Sequence, residues 1–193
     1  MSELDARMFR VLHDALSQGW LPTMAVLTTV GGGWGALTVF PLFASRRTRS
    51  FAGGLTLVLV VTNLLVFGLK RLFERQRPCH CLSGVHALVF EAPHDPSFPS
   101  GHAAGAFAFA TFVAAVLLRR WPSPARFPAA ALLLLVATGI AISRVALGVH
   151  FPGDITAGAL LGTLVGGIGA HAWLRAVRLR LRSEPERGQT VSS

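Results

Sequence analysis

Residues 51–69 read FAGGLTLVLVVTNLLVFGL, nineteen consecutive positions without a charged side chain. A helix rises roughly 1.5 Å per residue and the hydrocarbon core of a bilayer is about 30 Å thick, so a run of this length has the reach of a membrane span. The remainder of the chain agrees with it. Over 193 residues the composition is 52% apolar and 14% charged with a mean hydropathy of +0.54, which excludes an ordinary soluble domain. The pattern predicts an all-α integral membrane bundle of about five transmembrane helices, with spans near 21–44, 51–73, 102–118, 127–147 and 154–174. The short third span and the Arg144-bearing fourth also read as buried helices. Residues 1–182 form one membrane-embedded domain in this reading, and 183–193 (SEPERGQTVSS) a disordered cytoplasmic tail.

Residues 1–19 have a different pattern. Leu4, Met8, Val11, Leu12, Ala15 and Leu16 fall on one helical face, with Asp5, Arg10 and Asp14 away from it. That is an amphipathic helix lying on the membrane surface. Its early acidic residues and lack of a continuous apolar core do not fit a signal peptide.

The net charge of +9 comes from basic residues in the gaps between apolar runs, not from a stripe with interleaved aromatics, so a nucleic-acid binder is excluded. Positive charge is retained on the cytoplasmic side. Eleven arginines, from Arg46 to Arg49, Arg119 to Arg126 and Arg175 to Arg187, fall on one side, against seven basic residues on the other. The amino terminus, the loop after Arg71 and the turn around Gly148 are therefore expected outside an inner (plasma) membrane, and the carboxyl terminus inside. Gly158, Gly162 and Gly166 recur at a spacing that lets helices approach closely, which suits packing within the bundle or a homodimer. Cys79, His80 and Cys81 are one ligand short of a structural zinc site, and no metal or cofactor is expected.

Three polar blocks interrupt the apolar chain, and all fall on the outer side. Lys70 precedes Arg77 and Pro78 by seven and eight residues; if the second span continues that far, both cations share a face and form an anion site. Pro99, Ser100, Gly101 and His102 stand before the third span. Ser100 can cap that helix, and its first amides, with the dipole behind them, bind phosphate readily. Gly101 leaves the backbone open to an oxyanion, and His102 can exchange a proton near neutral pH. Ser143 and Arg144 close the fourth span, where an arginine calls for an anionic partner or a wet cavity. His150 and Asp154 straddle the next turn, placing a carboxylate within reach of one ring nitrogen and leaving the other nucleophilic.

Taken in order and at these spacings, Lys70, Arg77, Pro78, Pro99, Ser100, Gly101, His102, Ser143, Arg144, His150 and Asp154 resemble the three-part signature of the type 2 phosphatidic acid phosphatases. The resemblance implies a helical bundle in which His150 attacks phosphorus to give a phosphohistidine, Asp154 orients it, and His102 protonates the leaving oxygen. It implies further that Lys70, Arg77, Ser100, the Gly101 amide and Arg144 hold the phosphoryl oxygens, with Pro78, Pro99 and Ser143 in supporting places. Phosphoryl transfer depends on positioning and charge neutralisation, which three cations and a helix terminus can provide. Two titrating histidines predict a bell-shaped pH profile.

Small members resembling this architecture act on undecaprenyl pyrophosphate, which is the first substrate expected. Phosphatidylglycerol phosphate, phosphatidic acid and lipid A follow. A lipid-phosphate transporter or binding protein would use the same cations without needing a histidine with an orienting aspartate, and a vanadate haloperoxidase would be soluble. The loop histidines His80, His86 and His94 and the acidic Glu74, Glu91 and Asp95 are candidates to cover the pocket or shape headgroup choice, while His13 and His171 read as interface or packing residues.

Overall fold

A computed structural model describes residues 3–17, 19–32, 39–89 and 91–182. Among them run seven helices: α1 (Glu3–Ser17), α2 (Leu21–Gly31), α3 (Arg49–Phe73), the single turn α4 (Pro78–Cys81), α5 (Gly101–Arg120), α6 (Arg126–Ala146) and α7 (Pro152–Arg182). A 3-10 turn, Phe40–Phe43, precedes α3. Four of the helices, α3 and α5 to α7, are long and apolar enough to cross a bilayer. Their outward side chains, among them Leu57, Leu64, Leu135, Leu160 and Ile168, are exposed apolar residues that suit a lipid surround. The all-helical membrane bundle expected from the sequence is what the chain forms.

The first span departs from expectation. Instead of running from 21 to 44, helix α2 stops at Gly31, and Gly32 is extended at ψ −172°. Eleven residues reach only about 17 Å, half of the hydrocarbon core. Consecutive glycines lose the most backbone entropy in a helix, so the run at Gly31 and Gly32 is where the helix gives way. Gly33 and Gly35, like the tail at 183–193, lie outside the described residues.

Helix α5 is the centre of the bundle, packed on α7, α6 and α3. The α5/α7 contact is set by the glycine stripe. A Cβ on Gly158 would stand 2.5 Å from the Ser100 carbonyl oxygen, one on Gly166 2.5 Å from that of Ala108, and one on Gly162 would collide with that of Ala104. The stripe is thus covered by α5 of the same chain, and the homodimer contact expected as an alternative use of these glycines has no surface left there. At the far end of the bundle, Phe51, Phe112 and Trp173 close the core, and Trp173 Nε1 donates to the Ser50 carbonyl at 2.9 Å.

The carboxyl end of α3, the amino ends of α5 and α7, and the carboxyl end of α6 meet at the opposite end, and α1 lies across it. Helix α1 docks through Asp5, Phe9 and His13, each four residues apart. Phe9 packs on Phe151, and His13 stacks on Phe9 at 5.1 Å and contacts the Val145 carbonyl at 3.3 Å. His13 is therefore a docking residue and not merely an interfacial one. Leu4, Met8, Val11 and Leu12 stay exposed, so the apolar face read from the sequence is left for the membrane.

Candidate active site

Gly148 carries the turn that delivers His150. Its φ of +78° is left-handed, and a Cβ there would stand 2.5 Å from the His86 carbonyl oxygen, so glycine is required on both counts. The turn is tied to α6 when the Arg144 carbonyl accepts from the Val149 and His150 amides at 3.1 and 3.2 Å. His150 ends two residues short of α7 instead of on its first turn, and its side chain is fully buried.

Two contacts define the imidazole. Arg77 faces Nε2 at 3.1 Å. A guanidinium only donates, so Nε2 must be the unprotonated nitrogen and Nδ1 must carry the hydrogen. Nδ1 lies 3.5 Å from Asp154 Oδ2 and 3.3 Å from Ser97 Oγ, while Ser97 Oγ donates to that same Oδ2 at 2.5 Å. The His150 and Asp154 pair expected from spacing is present, with the Ser97 hydroxyl inserted beside it. Burial holds the His150 imidazole far below its usual value, to about 3, although Asp154 pulls the other way. Burial and the Arg77 contact at Nε2 both favour the neutral imidazole.

Asp154 is itself fully buried and held from every side. The Phe151 amide donates to Oδ2 at 2.8 Å, and Arg75 Nη1 to Oδ1 at 2.7 Å. Arg75 continues to Asp5 of α1 at 2.5 Å, and Asp5 accepts from the Gly153 amide at 2.9 Å. Sequence reasoning missed Ser97 and Arg75. Both lie within two residues of motif positions, and nothing in their spacing distinguishes them from surface residues.

Lys70 and Arg77 converge, though not as two turns of one helix. Helix α3 ends at Phe73, Glu74 turns left-handed (φ 43°), and Arg77 is extended at ψ 154°. What joins them is Asp95: its Oδ2 accepts from Lys70 Nζ at 2.7 Å and its Oδ1 from Arg77 Nη2 at 2.8 Å. Lys70 also donates to the Pro96 carbonyl, and Arg77 to the carbonyls of Asp95 (2.8 Å) and Val149 (2.9 Å). Burial favours a neutral Asp95, but the Lys70 and Arg77 charges outweigh it and hold the carboxyl below its ordinary range.

Ser100 caps α5, accepting from the Ala103 amide at 3.5 Å, and its own amide donates to the Asp154 carbonyl at 3.0 Å. Pro78 and Pro99 are fully buried, and Ser143 bonds back to the Ile140 carbonyl at 2.7 Å. Gly101 and His102 line an apolar cavity of about 710 Å³ between α2, α3, α5 and α6, whose walls include Leu59, Phe109, Leu133 and Ile140 and whose polar side chains are Asn63 and His102. Arg144 is buried, donates to the Thr28 hydroxyl, and leaves Nε without a partner among the described residues. The charges of Arg144, Arg77 and Lys70 all bear on His102.

Buried cations grouped beside an unprotonated imidazole and an apolar cavity are suited to an anionic group on a lipid. The comparisons agree. The PAP2 superfamily model matches residues 51–178. A decaprenylphosphoryl-5-phosphoribose phosphatase of Mycobacterium tuberculosis is 34% identical over 142 residues, covering 70% of this chain and 69% of that protein. A lipid A 4'-phosphatase of Bacteroides thetaiotaomicron is 38% identical over 178 residues, covering 84% and 73%. The crystal structure of Aquifex aeolicus LpxE superposes with a TM-score of 0.74 at 30% identity, covering 88% of this chain and 96% of that one. With the fold and more than half of the chain in agreement, the chain belongs to the PAP2 superfamily and is a membrane lipid phosphatase of that family.

Proposed function

We propose that the protein removes the terminal phosphate from a polyprenyl-chain lipid at the extracytoplasmic face, through a phosphohistidine on His150. The observation that carries this reading is the Nε2 lone pair of a buried His150, fixed by Arg77 on one side and by Ser97 and Asp154 on the other. Nε2 attacks phosphorus as the bond to the leaving oxygen breaks, and His102 protonates that oxygen. Water, deprotonated by His102, then attacks the phosphohistidine, releasing inorganic phosphate and restoring the imidazole. Lys70, Arg77 and Arg144, with the Ser100 hydroxyl and the Gly101 amide at the start of α5, neutralise and hold the phosphoryl oxygens, a task that needs no metal ion.

The cavity beside Gly101 and His102 supports a lipid tail. Undecaprenyl pyrophosphate and a polyprenylphosphoryl sugar phosphate share the long isoprenoid tail. The first suits the small architecture, and the second is favoured by the decaprenylphosphoryl-5-phosphoribose relative. The outer placement rests on the charge asymmetry, with the arginines from Arg46 to Arg49, Arg119 to Arg126 and Arg175 to Arg182 at the end away from the site.

The test is phosphate release in detergent with EDTA from undecaprenyl pyrophosphate, decaprenylphosphoryl-5-phosphoribose, lipid A and phosphatidylglycerol phosphate, comparing wild type with His150→Ala. Release that persists in EDTA and disappears in the variant is expected, with a polyprenyl lipid preferred. Release that EDTA abolishes would overturn the metal-free mechanism, and a surviving His150→Ala activity would overturn the nucleophile.

A further inference from the structure

Asp95 occupies the cations on which the proposed chemistry depends. Each of its carboxylate oxygens sits on a different one, Oδ2 on Lys70 and Oδ1 on Arg77, in the bridging arrangement that two oxygens of a phosphoryl group would adopt. The side chains of Lys70 and Arg77 are largely enclosed, 12% and 4% exposed, whereas that of Asp95 is 54% exposed. The loop is fastened independently of the carboxylate, since the backbone carbonyls of Asp95 and Pro96 accept from Arg77 and Lys70. A side-chain rotation is therefore enough to vacate both cations. Arg77, while held by Asp95, directs its other nitrogen at the His150 lone pair. Arg144, the third cation, has no carboxylate on it among the described residues and keeps an unpartnered buried Nε.

We propose that Asp95 is a resident anion that any phosphate must displace, and that it thereby selects doubly charged terminal phosphates over singly charged phosphodiesters. The inference rests on the reading of this pocket as a phosphate site. A carboxylate with one negative charge holds Lys70 and Arg77 on equal electrostatic terms with a phosphodiester, and it is tethered. A terminal phosphate with nearly two charges and three free oxygens outcompetes it. This discrimination matters at a bilayer surface, where phosphodiester headgroups are the most abundant competing anions. Displacement also loosens Arg77 from the His150 lone pair, so the nucleophile is uncovered by the anion it attacks.

The experiment is titration calorimetry of the full-length protein in detergent at pH 8, with inorganic phosphate and dimethyl phosphate as probes, on wild type, Asp95→Asn and Asp95→Ser. Two variants guard against a local folding effect, checked by melting temperature. Wild type is expected to bind phosphate and to reject dimethyl phosphate. Both variants are expected to bind phosphate about tenfold more tightly and dimethyl phosphate more tightly still, narrowing the ratio between them. Phosphate binding that is unchanged or weakened in both variants would overturn the proposal, because Asp95 would then be ordering the cations instead of competing for them. An unchanged ratio would overturn the selectivity. Since no turnover is needed, tightened binding in a protein that hydrolyses no lipid would sink the hydrolytic reading alone, and a wild type and variants that all fail to bind phosphate would sink both.

Discussion

At the scale of single residues, the protonation of His150 follows from its enclosure. Its imidazole binds a proton less readily in the folded chain, at about 3, than in the unfolded one, at about 6.5. Stability from this group is therefore complete above about pH 6.5 and is lost progressively as pH falls toward 3, because the unfolded state takes up the proton first. The melting temperature in detergent is expected to fall between pH 7 and pH 4, by less in His150→Asn than in wild type. On the proposed chemistry, kcat/KM shows no acid limb from His150 between pH 5 and 7. An acid midpoint near 6.5 would show that His150 titrates as it would in water. Ser97 acts through its neighbours. It ties Asp154 and His150 together from a fully buried position, so Ser97→Ala is expected to lower kcat by roughly ten- to hundredfold while KM holds. A loss confined to KM would remove it as a positioning residue.

At the scale of elements, the link between α3 and the short turn at Pro78 decides where the cations go. The link begins at Glu74, a left-handed helix cap in which a side chain bearing a Cβ is unfavourable by about 1 to 2 kcal/mol. Glu74→Gly is expected to raise stability by about 1 kcal/mol in detergent melts and leave kcat unchanged. A loss of stability would mean that the Glu74 side chain makes a contribution larger than the strain. The same link explains a misreading. A spacing of seven suggested two turns of helix from Lys70 to Arg77, and the two do meet, but through a broken helix and a carboxylate from a loop. Spacing reported the convergence and gave the wrong path. The glycine stripe of α7 was ambiguous for a related reason, since a sequence cannot say which helix fills a groove, and here α5 fills it.

At the scale of the whole molecule, all of the site lies at one end of the bundle and the arginine-rich connections at the other. The two native cysteines serve as reporters, because Cys79 and Cys81 lie at the site end and Cys81 is exposed. In sealed right-side-out membranes, an impermeant maleimide is expected to label the native protein directly. A Cys79→Ser, Cys81→Ser protein carrying Arg120→Cys is expected to react only after permeabilisation. The reverse pattern would place the site on the cytoplasmic side. Helix α1 belongs to this scale too. It touches the turn that carries His150 by Asp5, Phe9 and His13 and keeps Leu4, Met8, Val11 and Leu12 outward, so the bundle and the bilayer surface share one helix.

What the sequence determined alone was everything carried by local chemistry. Nineteen uncharged residues set a span, Ser100 set a helix start, and His150 with Asp154 four residues later set a dyad, because each depends on near neighbours in the chain. Tertiary structure alone decided the contacts between distant residues. Ser97 is 57 residues from the Asp154 it bonds, Arg75 79 residues away, and Thr28 116 residues from Arg144. Asp95 could be named as a loop acid but not placed on Lys70 and Arg77. Hydrogen bonds and ion pairs act over a few ångströms and carry no trace along the chain, so only the packing of α1, α3, α5, α6 and α7 around one end could bring these groups together.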